Sequence, residues 1–203
     1  LEVHSTSCAA SVSAFVSARN NIYAGNCDAA IVGGVDIAAL PVILGFASLE
    51  AMSDKPTNPF SANRSGLTLG DAAAFFVLTG KPDHALCKED CKGLMVEGFG
   101  ESADADHITA PRADGEGAYQ AMKAALEDAE LEPSQIDYVN LHGTGTRLND
   151  AMECLAVNRL LGEDVPISST KALTGHTLGA AGALETAFCC MALKRQVLPA
   201  QIY

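Results

Sequence analysis

The 203-residue chain carries 13 lysines and arginines against 25 aspartates and glutamates, a formal charge of −12, and 48% of it is hydrophobic. This composition excludes a disordered or low-complexity chain, and its sign opposes a broad surface for nucleic acid or an anionic membrane. Eighteen glycines, 5% aromatics and no Trp favour closely approaching helices and strands in an α/β layer architecture over a sandwich filled by large rings.

After Ser5-Thr6-Ser7, the apolar positions Ala9, Val12, Phe15, Val16 and Ile22 follow a helical period, with Gly25 placed to end the helix and Cys8 at its start. Ala29-Ala30-Ile31-Val32, followed by Gly33-Gly34, reads as a central strand buried on both faces. Residues 41–52 form a helix candidate, and 53–70 form a loop broken by Pro56, Asn58, Pro59 and Asn63. Strand character returns at 72–78 and again at 94–99, with an ambiguous polar stretch at 80–90 between them. Residues 102–117 form a long Asp-, Gly- and Pro-rich connection. Ala121, Met122, Ala125, Leu126 and Ala129 mark an amphipathic helix ending before Pro133. Tyr138 to Leu141 is a strand, 150–161 a helix, 165–169 a short strand, and 179–193 a helix of small residues before Pro199. The alternation suits a layered α/β fold, and no internal repeat is visible.

Three segments carry unusual chemistry. Cys8 follows Ser5-Thr6-Ser7, where a helix N-terminus lowers a thiol pKa by placing partial positive charge beside the thiolate. Taken alone, a small cysteine filling a helix-packing gap is the commoner case. His142-Gly143-Thr144-Gly145-Thr146 is a strand running into a glycine loop, with hydroxyls that can grip amide or carbonyl groups. It lacks the Gly-Lys-Ser or Gly-Lys-Thr ending of a phosphate loop. The third segment is Ser169-Thr170-Lys171, then Gly175-His176 and Gly179-Ala180-Ala181-Gly182. Cys8, His142 and His176 each lie at an element end, and a layered α/β fold gathers such ends at one sheet edge.

In these motifs and their order the chain resembles the beta-ketoacyl-[acyl carrier protein] synthases, the decarboxylating condensing enzymes of the thiolase-like superfamily. The resemblance rests on Thr6-Ser7-Cys8, Asp28 to Gly34, Pro59-Phe60 with Arg64, His142 to Thr146, Asn149-Asp150 with Glu153, and Lys171 with Gly175-His176 and Gly179 to Gly182. It implies a thiolase-like layered fold, with helices packed against mixed sheets, incomplete at both ends. Residues 1–203 would form a partial ketosynthase domain. Residues 1–100 would end the N-terminal half with the nucleophile helix, and 101–203 would hold most of the C-terminal half with both histidines.

The resemblance further implies that Cys8 takes an acyl group from a carrier-protein thioester. His142 and His176 would donate hydrogen bonds to the malonyl thioester oxygen as carbon dioxide leaves. Lys171 and Glu153 would hold the histidines' orientation and protonation state, Asp150 would anchor the loop, and Thr144 and Thr146 would contact the phosphopantetheine arm. Turn capping is the plainer role for those threonines. The implied partners are the acyl carrier protein and a second ketosynthase-like chain or an identical copy, with no nucleic acid and no membrane. No metal and no resident cofactor are expected, since phosphopantetheine arrives on the carrier.

The chain departs from the family at Ser61, at Ser65-Gly66-Leu67 and at Gly70-Asp71-Ala72, where the family usually has Asp, Asp-Gly-Phe and Gly-Glu-Gly. Family domains also extend further on both sides and include a later glycine-rich loop with a gating Phe. A non-catalytic accessory subunit or an inactive fragment is therefore the alternative reading. A Cys-His hydrolase suits two glycine-flanked histidines plus a lysine less well, and a thiolase would have cysteine in place of His176.

The seven cysteines are odd in number and do not space like a secreted disulfide scaffold, so a reducing cytoplasmic compartment is expected. No apolar run reaches the ~20 residues of a membrane-spanning helix. The chain opens with Leu1 rather than Met, so the compartment is read only from the residues present. His84, Cys87 and Cys91 make a weak metal pattern without an evident fourth ligand. Lys55, Arg64 and Arg147 could meet an acidic carrier, though ordinary surface charge is the default for each.

Overall fold

The computed structural model describes every residue except 82, 83, 87, 88, 90–92 and 203. Cys87 and Cys91 of the weak metal pattern lie outside the described residues. The chain forms two units, each interrupted in sequence. The first comprises Leu1–Leu40, Leu69–Met95 and His176–Val197; the second comprises Pro41–Thr68, Val96–Gly175 and Leu198–Tyr203.

In the first unit, a 3₁₀ turn at Ser7–Ala9 leads into α1 (Ala10–Tyr23), and Gly25 follows with φ +73°, the left-handed step that ends many helices. Strands β1 (Ala29–Asp36) and β2 (Ala72–Thr79) pair antiparallel from Ala29 opposite Thr79 to Asp36 opposite Ala72. A second 3₁₀ turn, Leu178–Ala180, leads into α6 (Ala181–Arg195). Side chains alternate across a strand, so Val32, Gly34, Ala74 and Phe76 share one face. This face meets the helices: the Phe15 and Phe76 rings lie 5.2 Å apart, and a Cβ on Gly34 would sit 2.9 Å from both Ala180 Cα and Ser11 Cβ. Ser11 is buried, and its hydroxyl accepts the Ala183 N–H at 3.0 Å, tying α1 to α6.

The opposite face carries Ile31, Val35, Phe75 and Val77, with Ile31 80% and Phe75 61% exposed. The expectation of a strand buried on both faces therefore fails for β1 in this chain. Among the described residues only β2 pairs with it, and helices cover one side alone.

The second unit contains α3 (Glu116–Asp128), β3 (Val139–Asn140), α4 (Arg147–Leu161), β4 (Ile167–Ser168) and the four-residue α5 (Lys171–Thr174). Helix α2 (Leu40–Ser48) also belongs here apart from its first residue. β3 and β4 pair parallel, with Val139 opposite Ile167. Leu141, Ala156 and Val157 are buried at the centre. Gly115, at φ +67°, lets α3 begin against α4, since a Cβ there would meet Met152 O at 2.7 Å. Arg159 staples the same two helices, 2.6 Å from Glu116 and 3.9 Å from the Tyr119 ring centroid.

Residues 94–99 are not a strand. The segment passes along α3, where the absent Cβ atoms of Gly98 and Gly100 bring backbone onto Ala125 and Ala121, and Phe99 N–H donates to Asp128 at 2.9 Å. Without a partner strand among the described residues, the short apolar run has nothing to ladder with. No helix among the described residues is long and apolar enough to cross a membrane.

Candidate active site

In the first unit, residues far apart in sequence meet at the start of α1. Ser7 takes φ +52°, and Ala9 N–H returns to Thr6 O at 3.1 Å, which sets Cys8 within the tight turn that precedes the helix. Across from it, the backbone around His176 bridges to Leu69, and Gly70 N–H donates to His176 O at 3.1 Å. Asp36, at the end of β1, accepts Gly179 N–H at 2.9 Å and fixes the turn that follows the histidine. The outcome is Cys8 Sγ at 2.9 Å from His176 Nε2, with the imidazole 1% exposed. A sulfur and an imidazole at that separation share a proton, so the ring can take it from the thiol or donate its own to the thiolate.

In the second unit, His142 leaves β3 into a loop held from below by α4. Glu153 accepts the N–H groups of His142 and Gly143, the latter at 2.8 Å. Burial pushes the Glu153 carboxyl up to about 7; the two amide donors and the Lys171 charge act against this, and Asp150 reinforces it. Lys171 is 1% exposed, and its Nζ lies 3.4 Å from His142 Nδ1. An ammonium has only donors to offer, so this contact favours the tautomer with the lone pair on Nδ1 and the hydrogen on Nε2.

Asp150, also 1% exposed, accepts Gly145 N–H at 3.1 Å and Phe60 N–H at 2.7 Å, and it lies 3.5 Å from Arg64 Nε. One carboxylate thus joins the glycine loop to the loop at Pro59-Phe60. Thr144 and Thr146 hydroxyls pair with each other at 3.0 Å, and neither caps α4 by its side chain. Thr57, buried beneath them, donates to Gly66 O and Thr144 O at 2.8 and 3.1 Å. The structure therefore gathers Cys8 with His176 in one unit, and His142 with Lys171, Glu153, Asp150, Thr144 and Thr146 in the other.

Sequence reasoning did not reach Thr57 or Gln201. Gln201 binds the Ser169 N–H and Pro59 O, and both residues are tied in by contacts too distant along the chain to leave a local signal. Ser169 stood within a motif already singled out, but its hydroxyl bond to Gly143 O at 3.0 Å did not show there.

Residues 2–84 match the family model of the beta-ketoacyl synthase N-terminal domain, and 94–203 match that of the beta-ketoacyl synthase C-terminal domain. The chain belongs to the beta-ketoacyl synthase family. It is 39% identical over 209 residues to 3-oxoacyl-[acyl-carrier-protein] synthase 2 of Vibrio cholerae, covering 98% of this chain and 50% of that protein. Among solved structures it resembles a ketosynthase in complex with its chain length factor from Xenorhabdus doucetiae. That likeness has a TM-score of 0.89 at 44% identity, over 98% of this chain and 48% of the other. A type II polyketide acyl-carrier protein in complex with its ketosynthase gives a TM-score of 0.86 at 31% identity, over 96% and 50%. The fold is thus the thiolase-like α/β fold of ketosynthases, and the chain spans about half the length of the relatives it matches.

Proposed function

We propose that the protein to which this chain belongs is a beta-ketoacyl-[acyl carrier protein] synthase, an acyltransferase of fatty-acid or polyketide synthesis. The observation that carries this reading is the 2.9 Å contact of Cys8 Sγ with His176 Nε2. The Cys8 thiolate attacks an acyl-carrier thioester; the carbonyl passes to Cys8, and the pantetheine thiolate leaves and takes a proton. A malonyl thioester follows. As its carboxylate leaves as carbon dioxide, the bonding electrons pass to the thioester oxygen, and N–H donors of His142 and His176 stabilise the enolate. The enolate carbon then attacks the Cys8 acyl group, a carbon–carbon bond forms, and the Cys8 carbon–sulfur bond breaks.

Lys171 supports this chemistry by favouring the His142 tautomer that donates from Nε2. Each such donor contributes about 3 kcal/mol of transition-state stabilisation. Glu153 and Asp150 hold the loop, and Thr144 and Thr146 meet the phosphopantetheine arm that the carrier brings, so no resident cofactor is needed. The acyl carrier protein is the substrate-bearing partner. A second copy or a ketosynthase-like subunit completes the assembly, in the manner of the relatives solved as complexes, and the cytoplasm is its compartment.

The test supplies acyl- and malonyl-carrier protein to this chain and to Cys8→Ala, reading covalent acylation by intact mass and carbon dioxide separately. Loss of acylation with surviving decarboxylation in Cys8→Ala supports the assigned roles. An acyl adduct that forms equally in the variant refutes the nucleophile. A chain that neither acylates nor decarboxylates favours the accessory subunit or inert fragment.

A further inference from the structure

Gly143, the residue after His142, is gripped from two sides. A Cβ there would lie 2.5 Å from Ser169 Cβ and 2.7 Å from Phe60 Cε2, so the turn exists only because glycine lets both walls close. Ser169, 1% exposed, donates its hydroxyl to Gly143 O at 3.0 Å and accepts Lys171 N–H at 3.3 Å. One side chain ties the two walls together. Gln201 Oε1 accepts Ser169 N–H at 2.9 Å, while Gln201 Nε2 donates to Pro59 O at 3.0 Å and to Ile202 O at 3.2 Å. An amide presents an acceptor and a donor on one rigid plane, the combination this bridge needs. Glu lacks the donor when ionised, Met lacks both groups, and Asn is one methylene short.

We infer that Gln201 is a positioning residue for His142: its amide holds Ser169 and Pro59 at a fixed separation, and through them sets the turn that aims the His142 imidazole. Ser169 immediately precedes Thr170-Lys171, so the same clamp sets the strand end that delivers Lys171 to His142 Nδ1. Its catalytic consequence rests on the synthase reading above, in which His142 serves decarboxylation while Cys8 accepts the acyl group. Gln201 is itself exposed, so its substitution should leave the chain folded, which far-ultraviolet circular dichroism of each variant checks.

The test has two arms on the full chain. In the first, ¹⁵N-histidine-labelled wild type, Gln201→Glu, Gln201→Asn and Gln201→Met are titrated by NMR, following His142 against His176. The inference expects altered His142 nitrogen shifts in all three variants, largest in Gln201→Met, with His176 signals unmoved. Unchanged His142 signals overturn it. In the second arm, malonyl-carrier protein decarboxylation and acylation of Cys8 are timed separately. Misaiming a reacting group by a fraction of an ångström costs about tenfold in rate, so kcat for decarboxylation should fall about tenfold in Gln201→Met. KM should hold within about twofold and Cys8 acylation should be unchanged. Equal losses in both reactions would mark general loosening and overturn the inference. If wild type performs neither reaction, the accessory-subunit or inert-fragment reading is favoured, and the NMR arm alone still decides whether the clamp sets His142.

Discussion

Replacing Glu153 with Gln removes a carboxyl that burial holds near neutrality. In the folded chain it keeps its proton up to about 7, against an ordinary 4.5. Between those values the folded state binds more protons than the unfolded state, so stability falls as pH rises from 4.5 to 7 and is flat outside that window. At about 1.4 kcal/mol per pH unit, and allowing for partial solvent access to the side chain, this amounts to about 2–3 kcal/mol. Gln carries no charge at any pH, and it turns an NH₂ toward one of the two N–H groups that Glu153 accepts, costing about 1–2 kcal/mol throughout. At pH 5 the wild type should therefore be the more stable protein, and by pH 8 the gap should close or reverse. Lys171 and Asp150, the charged groups acting on Glu153, are present in both proteins. Urea denaturation followed by far-ultraviolet circular dichroism at pH 5, 6, 7 and 8 measures that gap. A gap constant across the series would show that Glu153 does not titrate there and would refute the account of its burial.

Asp150→Ala strips the shared acceptor from Phe60 N–H and Gly145 N–H and the partner from Arg64; it should cost about 3 kcal/mol in the same assay, and a loss below 1 kcal/mol would contradict the anchoring role. Gly145→Ala drives a Cβ onto Thr57 Oγ1 and to within 2.7 Å of Gly66 O at φ +77°, so it should destabilise by about 2 kcal/mol or more, read as a drop in Tm. Arg159→Ala, at an exposed staple, should lower Tm only slightly, and by less again in high salt; a drop as large as that of Gly145→Ala would contradict the exposed-staple reading.

The helices show how much was legible. In α3, apolar positions recur every three or four residues, and in α1 the same period closes on Gly25; local steric and burial rules suffice to place both. The expected start of the last helix at Gly179 falls within the 3₁₀ turn that leads into α6. Residues 94–99 carry a short apolar run that makes a strand only when another strand lies alongside, and here the neighbour is a helix. β1 misleads in a different way. Its apolar run reads as covered on both faces, yet what covers a face is decided by elements elsewhere in the chain. The four-residue α5, too short to show a period, left no trace in the pattern.

The order of motifs around Cys8, His142, Lys171 and His176 is written along the chain, and with it the residue types that the chemistry needs. Local propensity likewise fixed most helices, since a helix closes its hydrogen bonds within a few residues. The 2.9 Å meeting of Cys8 and His176 across 168 residues was decided only by tertiary structure. So were the burial that raises Glu153 and the bridge that Gln201 makes between Ser169 and Pro59. Distance, desolvation and hydrogen-bond partnership belong to pairs of groups in space, and a linear pattern records each group by itself.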